Sequence, residues 1–230
     1  MCGIFGYVSS GKGECDLRFI ETIARDTEKR GPHAFGFAWV DGRNRLRMFK
    51  QEGRITSHLG LLKMARDARM LVGHCRFATH GSPSNNLNNH PHPCDGGWMV
   101  HNGVIRGYEE INEGHCLHPV TECDSETLAL LVEELDGTLV ERCAAAAVEC
   151  ATSPLAMLGI WHGPQRVVAA RAGNPLHWAE YPEGWYMASN RSAMPECWSL
   201  EDRSALSFTI RGGQTTVMQY DIDQVADARV

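Results

Sequence analysis

Several features that would assign this chain to other classes of protein are missing from its sequence. The 230 residues carry a net charge of −6. They contain no cluster of five or more Lys and Arg residues, which argues against a nucleic-acid-binding surface. No apolar run reaches the length of a membrane span, and the N-terminus has no basic segment followed by an apolar one. We therefore expect no nucleic-acid partner, no membrane association and no secretory signal.

The nine cysteines lack the spacing of a disulfide framework, and the sequence has no C-x-x-C motif. A reduced, cytoplasmic location is the simpler expectation. His90, His92 and Cys94 are ligand-type residues, with His101 nearby, but they form one cluster inside a proline-rich loop. Zinc sites usually show paired ligands at recognisable spacing. We therefore expect no metal.

Apolar periodicity alternates between short strands and helices, without a linker or an internal repeat. The pattern predicts one domain over residues 1–230, of the α+β class rather than a doubly wound sheet. A helix capped by Asp16 and a loop over residues 81–97 are part of this prediction. The predicted strands cover residues 3–8, 34–40, 45–51, 69–77, 98–103, 155–161, 166–171 and 185–189, and the predicted helices cover 16–29, 57–68, 124–135 and 138–150.

The chain begins Met1-Cys2-Gly3 and continues directly into a predicted strand. A small second residue allows removal of the initiator methionine, which would leave a cysteine with both a thiol and a free α-amine. That amine has a reference pKa of about 8, so it could accept the proton of the thiol. Taken alone, Cys2 could equally be an ordinary residue at a frayed terminus. The strand that follows would anchor it inside the fold.

Three further signals carry chemistry, each with a structural alternative. Arg76 ends a buried strand and offers a planar fork for a carboxylate, although a structural salt bridge would also explain it. Asn102 and Gly103 lie at a turn and could donate hydrogen bonds to an oxyanion, although Asn-Gly turns are common. Asp124 begins a helix, where N-capping is the simpler interpretation in isolation.

Taken together and in this order, these signals resemble the glutaminase domain of the class II glutamine amidotransferases, which are N-terminal-nucleophile hydrolases. The resemblance covers residues 1 to about 190. It rests on the stretches MCGIFGYV, KRGPHAFGFAWV, GHCRFATHG, NNHPH, HNGVIRGYEE, CDSETLALLVEEL and ARAGNPLHWA.

This resemblance implies a four-layer αββα sandwich of two antiparallel sheets, with neither a metal nor an organic cofactor. It also implies a role for each matching residue. Cys2 would form a γ-glutamyl thioester, and Asn102 and Gly103 would form the oxyanion hole. Arg76 would hold the α-carboxylate group of L-glutamine, and Asp124 would hold its α-ammonium group. Thr79 and His80 would line the pocket, and Arg30 would support the nucleophile.

Two positions depart from the family pattern. His33 stands where relatives often have Asp, and Cys75 replaces a usual Thr. Neither position supplies the nucleophile, so activity is still expected. Cys75 is a candidate rival nucleophile, but a thiol inside an apolar strand is usually inert.

Full-length members of the family fuse this domain to a second one that uses the ammonia. The 230 residues show no GxxxxGK[ST] nucleotide loop and no synthase domain. We therefore expect a separate ammonia-accepting synthase as partner, with residues 81–97 as a lid. One alternative is hydrolysis of a γ-glutamyl amide of a small metabolite. Another is a catalytically silent module that senses glutamine. Retention of Met1 would remove the free amine of Cys2.

Overall fold

The computed structural model describes residues 1–11 and 15–227, which form two antiparallel β-sheets with helices on their outer faces. The strands are β1 (Gly3–Ser9), β2 (Ala34–Asp41), β3 (Leu46–Glu52), β4 (Ala68–Arg76), β5 (His92–Cys94), β6 (Gly97–Asn102), β7 (Leu155–Trp161), β8 (Arg166–Ala172), β9 (His177–Tyr181), β10 (Gly184–Ala188), β11 (Trp198–Ser199), β12 (Ser204–Arg211) and β13 (Gln214–Asp221). The α-helices are α1 (Leu17–Glu28), α2 (Tyr108–Gly114), α3 (Ser125–Glu134), α4 (Leu139–Glu149) and α5 (Ile222–Asp227).

The first sheet has the strand order β11-β9-β10-β1-β4-β2-β3, and the second has the order β13-β12-β8-β7-β6-β5. Side-chain alternation along β1 explains the layers, because successive residues of a strand point to opposite faces. Ile4 and Val8 pack between the two sheets, whereas Phe5 and Tyr7 pack on the opposite face with residues of α1. A third apolar cluster lies between the second sheet and the helices α3 and α4. The predicted four-layer α+β sandwich is thus confirmed.

Local sequence signals set the ends of two helices as predicted. The Asp16 carboxylate accepts hydrogen bonds from the amides of Arg18 and Phe19, which caps α1. Helix α4 begins with a capping box between Thr138 and Glu141. Both caps lie where the sequence predicted a helix to begin.

The short helix predicted over residues 57–68 is not an α-helix. The segment instead forms two short 3₁₀ turns, Ile55–Ser57 and Leu59–Ala65. Its buried residues Leu59, Leu62 and Ala65 recur every third residue. A three-residue repeat places side chains on one face of a 3₁₀ helix rather than of an α-helix.

The segment 81–97 is mostly loop, as expected, but it also contains the edge strand β5. This strand pairs with β6 and has Pro93 at its centre. Proline cannot donate a ladder hydrogen bond, so its presence argued against a strand here, although sheet edges tolerate it. The helices α2 and α5 were likewise not predicted from the sequence.

Across the described ranges, none of the helices combines the length and the apolar character needed to cross a lipid bilayer. The cysteines of the described residues are all free thiols. Cys2 directly precedes β1 in the first sheet, and Asn102 ends β6 in the second sheet. The two residues therefore approach each other where the two sheets meet.

Candidate active site

The pairing of β1 with β4 fixes the position of Cys2. Gly3 pairs with Cys75, so Cys2 lies beside the residues that follow β4. The Phe77 amide donates to Cys2 Sγ over 3.3 Å, and Sγ lies 3.5 Å from the Phe77 carbonyl oxygen. Desolvation raises the pKa of the Cys2 thiol above its ordinary value, although the Phe77 amide favours the thiolate. The thiol is therefore mostly protonated until a base takes its proton.

Arg30 holds the backbone of Cys2 in place. Its Nε donates to the Cys2 carbonyl oxygen over 2.7 Å, and its Nη1 donates to Asn190 Oδ1 over 3.3 Å. His33 acts on the neighbouring loop, because its Nδ1 accepts a hydrogen bond from the Ala78 amide at 3.1 Å. The Arg30 contact agrees with a supporting position, and His33 fills a structural place despite its departure from the family pattern.

Beside Cys2 lies a cavity of 370 Å³. It brings together four of the residues predicted for the site, namely Cys2, Thr79, Asn102 and Gly103. The remaining lining residues are Met1, Phe77, Val104, Arg106, Ser153, Pro154 and Asn174. The predicted nucleophile and the predicted oxyanion donors thus share one cavity.

The side chain of Asn102 is fully buried, yet neither its Oδ1 nor its Nδ2 has a hydrogen-bond partner among the described residues. An unpaired buried polar group costs about 1–3 kcal/mol. The Asn102 carbonyl, in contrast, accepts a hydrogen bond from Asn174 Nδ2 at 2.8 Å. The backbone is thereby fixed while the side-chain amide stays available to a ligand.

Gly103 follows directly, and its environment admits no side chain. A Cβ atom there would lie 2.6 Å from His101 Nε2 and 2.8 Å from the Pro154 carbonyl oxygen. Glycine is therefore required by the close approach of these neighbours.

Arg76, His80 and Asp124 do not line this cavity but form an adjoining polar cluster. The Arg76 guanidinium donates to Asn89 Oδ1 at 2.9 Å, to the Gly81 carbonyl at 3.0 Å and to the His80 carbonyl. His80 Nδ1 lies 3.7 Å from Asp124 Oδ1. The Arg76 and Asp124 charges act on the pKa of Cys2 in opposite directions, lowering and raising it. Their role in binding substrate stays a prediction.

The capping interpretation of Asp124 is wrong. Its side chain makes no capping hydrogen bond to α3, and its Oδ2 instead accepts from the Ile105 amide at 2.7 Å. Its backbone is already helical, with φ −53° and ψ −29°, whereas capping residues are usually extended. Asp124 therefore fixes the chain just after the Asn102-Gly103 turn.

Sequence reasoning missed several residues around the cavity, and Asn174 is the most informative. Its Nδ2 also donates to the Pro154 carbonyl at 2.8 Å, which joins β6 to the loop before β7. The signal was present in the stretch ARAGNPLHWA, where Gly173 has a positive φ of 96° that sets the Asn174 side chain. Phe77 could not be identified in this way, because it acts through its backbone.

The Cys75 thiol is buried but does not line the cavity, and the same holds for a cluster of two imidazoles and one thiol. Burial raises the pKa of the Cys75 thiol well above its ordinary value, which agrees with an inert thiol. One donor atom from each of His90, His92 and Cys123 lies within 4.8 Å of the other two, a spacing that could admit a metal ion.

No family model matched the sequence. The chain is 35% identical over 186 residues to a glutamine–fructose-6-phosphate aminotransferase (isomerizing) of Thermotoga maritima, a match that covers 76% of this chain and 29% of that protein. The enzyme of the same name from Sulfolobus acidocaldarius is 31% identical over 186 residues, with 76% and 31% covered. The chain thus matches roughly 30% of the length of these curated relatives.

Solved structures support the same fold. A glutamine phosphoribosylpyrophosphate amidotransferase from B. subtilis superposes with a TM-score of 0.75 at 20% identity, covering 94% of this chain and 49% of that chain. A glutamine aminotransferase class-II domain protein from Silicibacter pomeroyi gives a TM-score of 0.64 at 16% identity, covering 96% and 99%. With the sequence relatives and the cavity geometry, these findings establish that the chain belongs to the class II glutamine amidotransferases and has the fold of their glutaminase domain.

Proposed function

We propose that the chain hydrolyses the side-chain amide of L-glutamine through Cys2, giving glutamate and ammonia. The observation that carries this proposal is the unpartnered, fully buried amide of Asn102 in the same cavity as Cys2. A preorganised donor without a partner of its own is suited to a charge that appears only during reaction.

In the proposed reaction, Met1 is first removed and the freed α-amine of Cys2 accepts the thiol proton. Met1 is 72% exposed, so an aminopeptidase could reach it. The thiolate attacks the amide carbon, and the Asn102 Nδ2 and Gly103 N–H groups stabilise the tetrahedral oxyanion. The C–N bond then breaks, and the protonated nitrogen leaves as ammonia. Water hydrolyses the γ-glutamyl thioester and regenerates the thiol.

For recognition, we propose that Arg76 binds the α-carboxylate of glutamine and Asp124 binds its α-ammonium group. Two fixed opposite charges suit a zwitterionic ligand. Arg76 is already engaged by loop carbonyls, so a carboxylate would replace some of these contacts. Thr79 lines the cavity, and His80 adjoins Asp124, which supports their assignment to the substrate pocket.

The released ammonia is proposed to serve an acceptor on a separate partner protein, with residues 81–97 as the lid. The Arg76 contacts to Gly81 and Asn89 support this, because they link a predicted substrate-binding side chain to that segment. We expect slow ammonia release by the isolated chain. A turnover in the common enzymatic range of about 1–10³ s⁻¹ without a partner would contradict this part of the proposal.

The function itself is tested with a glutamine-mimicking electrophile and intact-mass measurement. We expect loss of Met1, one label per chain at residue 2, and no label or ammonia release in Cys2→Ala. The matched control is Cys116→Ser, which removes an exposed thiol outside the cavity and should leave both unchanged. Retained Met1, or a label on another cysteine, would contradict the mechanism. Faster release from small γ-glutamyl amides than from glutamine would favour a metabolite hydrolase.

A further inference from the structure

A second cluster of chemically reactive side chains lies outside the active-site cavity. His90 lies two residues before β5 and His92 is the first residue of that strand, whereas Cys123 comes from the residues before α3. They are exposed by only 3%, 1% and 4%. One donor atom from each residue lies within 4.8 Å of the other two. Sequence spacing could not reveal this, because the third ligand belongs to a separate segment.

The two histidines have no hydrogen-bond partners. Neither Nδ1 nor Nε2 of either ring is paired within the part of the chain that the structure describes. A neutral imidazole has one ring nitrogen with a free lone pair, so each of the two unpaired rings offers a donor atom to a metal ion. Buried imidazoles normally have partners, so two adjacent unpaired rings point to an absent ligand.

The third residue makes the donor set selective. Cys123 Sγ lies 3.9 Å from Asp124 Oδ1 and also interacts with the backbone and side chain of Ser125. One thiolate with two neutral imidazoles is a typical set for zinc-like cations, whereas Mg²⁺ and Ca²⁺ require oxygen ligands. A divalent cation bound to one thiolate keeps a net positive charge, which the Asp124 carboxylate would offset. The nearby Lys50 ammonium donates hydrogen bonds to the carbonyls of Asn89 and Pro91.

We propose that His90, His92 and Cys123 bind a thiophilic divalent cation of the zinc class. Tetrahedral coordination at about 2.0 Å from nitrogen and about 2.3 Å from sulfur places ligand atoms roughly 3.5 Å apart. Side-chain movements of about 1 Å would therefore bring the three ligand atoms to this separation. The ion would join the segment 90–92 to the start of α3, directly beside Asp124. Metal binding here does not require that Cys2 hydrolyse glutamine.

The test uses the full chain with Cys2→Ala, because a free N-terminal cysteine offers an amine and a thiol that chelate metals by themselves. Zn²⁺ content is measured after dialysis, and Co²⁺ is used as a spectroscopic probe. We expect one Zn²⁺ per chain and a thiolate-to-cobalt charge-transfer band. Adding Cys123→Ser should abolish the band and weaken Zn²⁺ binding by more than the 10–100-fold typical of an outer-shell loss.

Cys116→Ser in the same background is the matched control and should keep the band, because that thiol is exposed and outside the cluster. His92→Gln provides a second ligand variant with an intact thiol, and circular dichroism checks that each variant is folded. The His92→Gln substitution should also weaken Zn²⁺ binding. The proposal is overturned if the Cys2→Ala protein gives no charge-transfer band, or if Cys123→Ser leaves the band and the affinity unchanged. Either result leaves the glutaminase proposal untouched.

Discussion

At the scale of single residues, Asn102 combines complete burial with an unsatisfied amide. Its backbone carbonyl is held by Asn174, so the amide group is positioned by the chain rather than by contacts of its own. Such a group costs about 1–3 kcal/mol of stability in the free protein. In the proposed mechanism, it donates a hydrogen bond when a negative oxygen forms next to Cys2.

Replacing Asn102 with Ala should therefore lower kcat by about 100-fold or more while changing KM little, because one oxyanion donor is lost only in the transition state. Steady-state ammonia release measures this. Asn44→Gly is the control, since Asn44 lies in the β2–β3 turn with φ of 58° and should keep full activity. A large rise in KM with unchanged kcat would mean that Asn102 binds ground-state glutamine instead.

The resemblance of motifs predicted site positions for Cys2, Thr79, Asn102 and Gly103, and the structure places these residues around one cavity. These positions carry distinctive side chains or an adjacent glycine within recognisable stretches. Phe77 contributes its backbone amide, which no side-chain pattern reveals. The capping interpretation of Asp124 failed because its partner, the Ile105 amide, lies in a distant segment of the chain.

At the scale of elements, the turn after α1 must pass very close to the end of β4. A Cβ atom on Gly31 would lie 2.4 Å from both the Arg76 carbonyl carbon and the Phe77 nitrogen. These are backbone atoms, so no rotamer change relieves the overlap. The turn and the strand end can therefore approach only with glycine at this position.

Gly31→Ala should destabilise the protein by about 1–3 kcal/mol and lower glutaminase activity, because the shifted Phe77 amide would no longer contact Cys2 Sγ. Urea denaturation and ammonia release measure the two effects. Gly60→Ala is the control, since a Cβ there meets nothing within 4 Å. Unchanged activity in a destabilised Gly31→Ala protein would show that the Phe77 contact is dispensable.

The Asp41 carboxylate stabilises the β2–β3 hairpin by hydrogen bonds and ion pairs. The carboxylate accepts hydrogen bonds from the amides of Arg43 and Arg45 and from the side chains of Arg45 and Arg47. Although burial acts in the opposite direction, these donors lower the pKa of Asp41 to about 2. A group whose pKa is lowered by folding contributes stability above its unfolded pKa of about 3.9 and loses it as pH falls.

The Asp41 contribution should therefore be complete at neutral pH and disappear between about pH 4 and pH 2. Asp41→Asn should lower the free energy of unfolding by about 1–2 kcal/mol at pH 7. The expected effect is small because Arg45 and Arg47 are half exposed, so that solvent screens their charges. Denaturation of both proteins across pH measures the difference. A difference that stays constant from pH 7 to pH 2 would exclude the carboxylate charge as its origin.

Elements with local signals were predicted well, as the caps of α1 and α4 show. Elements that depend on their surroundings were not. The buried residues of the 3₁₀ helix Leu59–Ala65 recur every third residue, and the short strand β5 forms by pairing with β6. Short segments of this kind gain stability from tertiary contacts rather than from propensity.

At the scale of the whole molecule, stability depends on the apolar layer between the two sheets. Leu158 of β7 is fully buried in that layer, and its Cδ1 would lie 3.2 Å from a Cβ placed on Gly6 of β1. The absence of a side chain at Gly6 lets the opposite sheet pack closely. Leu158 therefore packs against both sheets within this layer.

Leu158→Ala should lower the free energy of unfolding by about 2–5 kcal/mol, because it removes buried methyl groups and leaves a cavity between rigid sheets. Near- and far-ultraviolet circular dichroism should report the same urea midpoint if the two sheets unfold together. Leu87→Ala, which changes a side chain that is 58% exposed, is the control and should have little effect. Separate midpoints would show that the sheets unfold independently.

The sheet order could not be predicted from periodicity. The central strands β1 and β7 are buried along their whole length, so both faces are apolar and the pattern does not tell one neighbour from another. The four-layer arrangement came from the resemblance of motifs, and the strand pairing required the structure.

The meeting of Cys2 from one sheet with Asn102 from the other has a consequence for biosynthesis. In the proposed mechanism, a growing or half-assembled polypeptide possesses the Cys2 sulfur before it possesses the Asn102 amide that would donate to the oxyanion. Until the second sheet docks, such an intermediate would lack one part of the proposed site. Glutamine hydrolysis should accordingly begin only after both sheets have assembled.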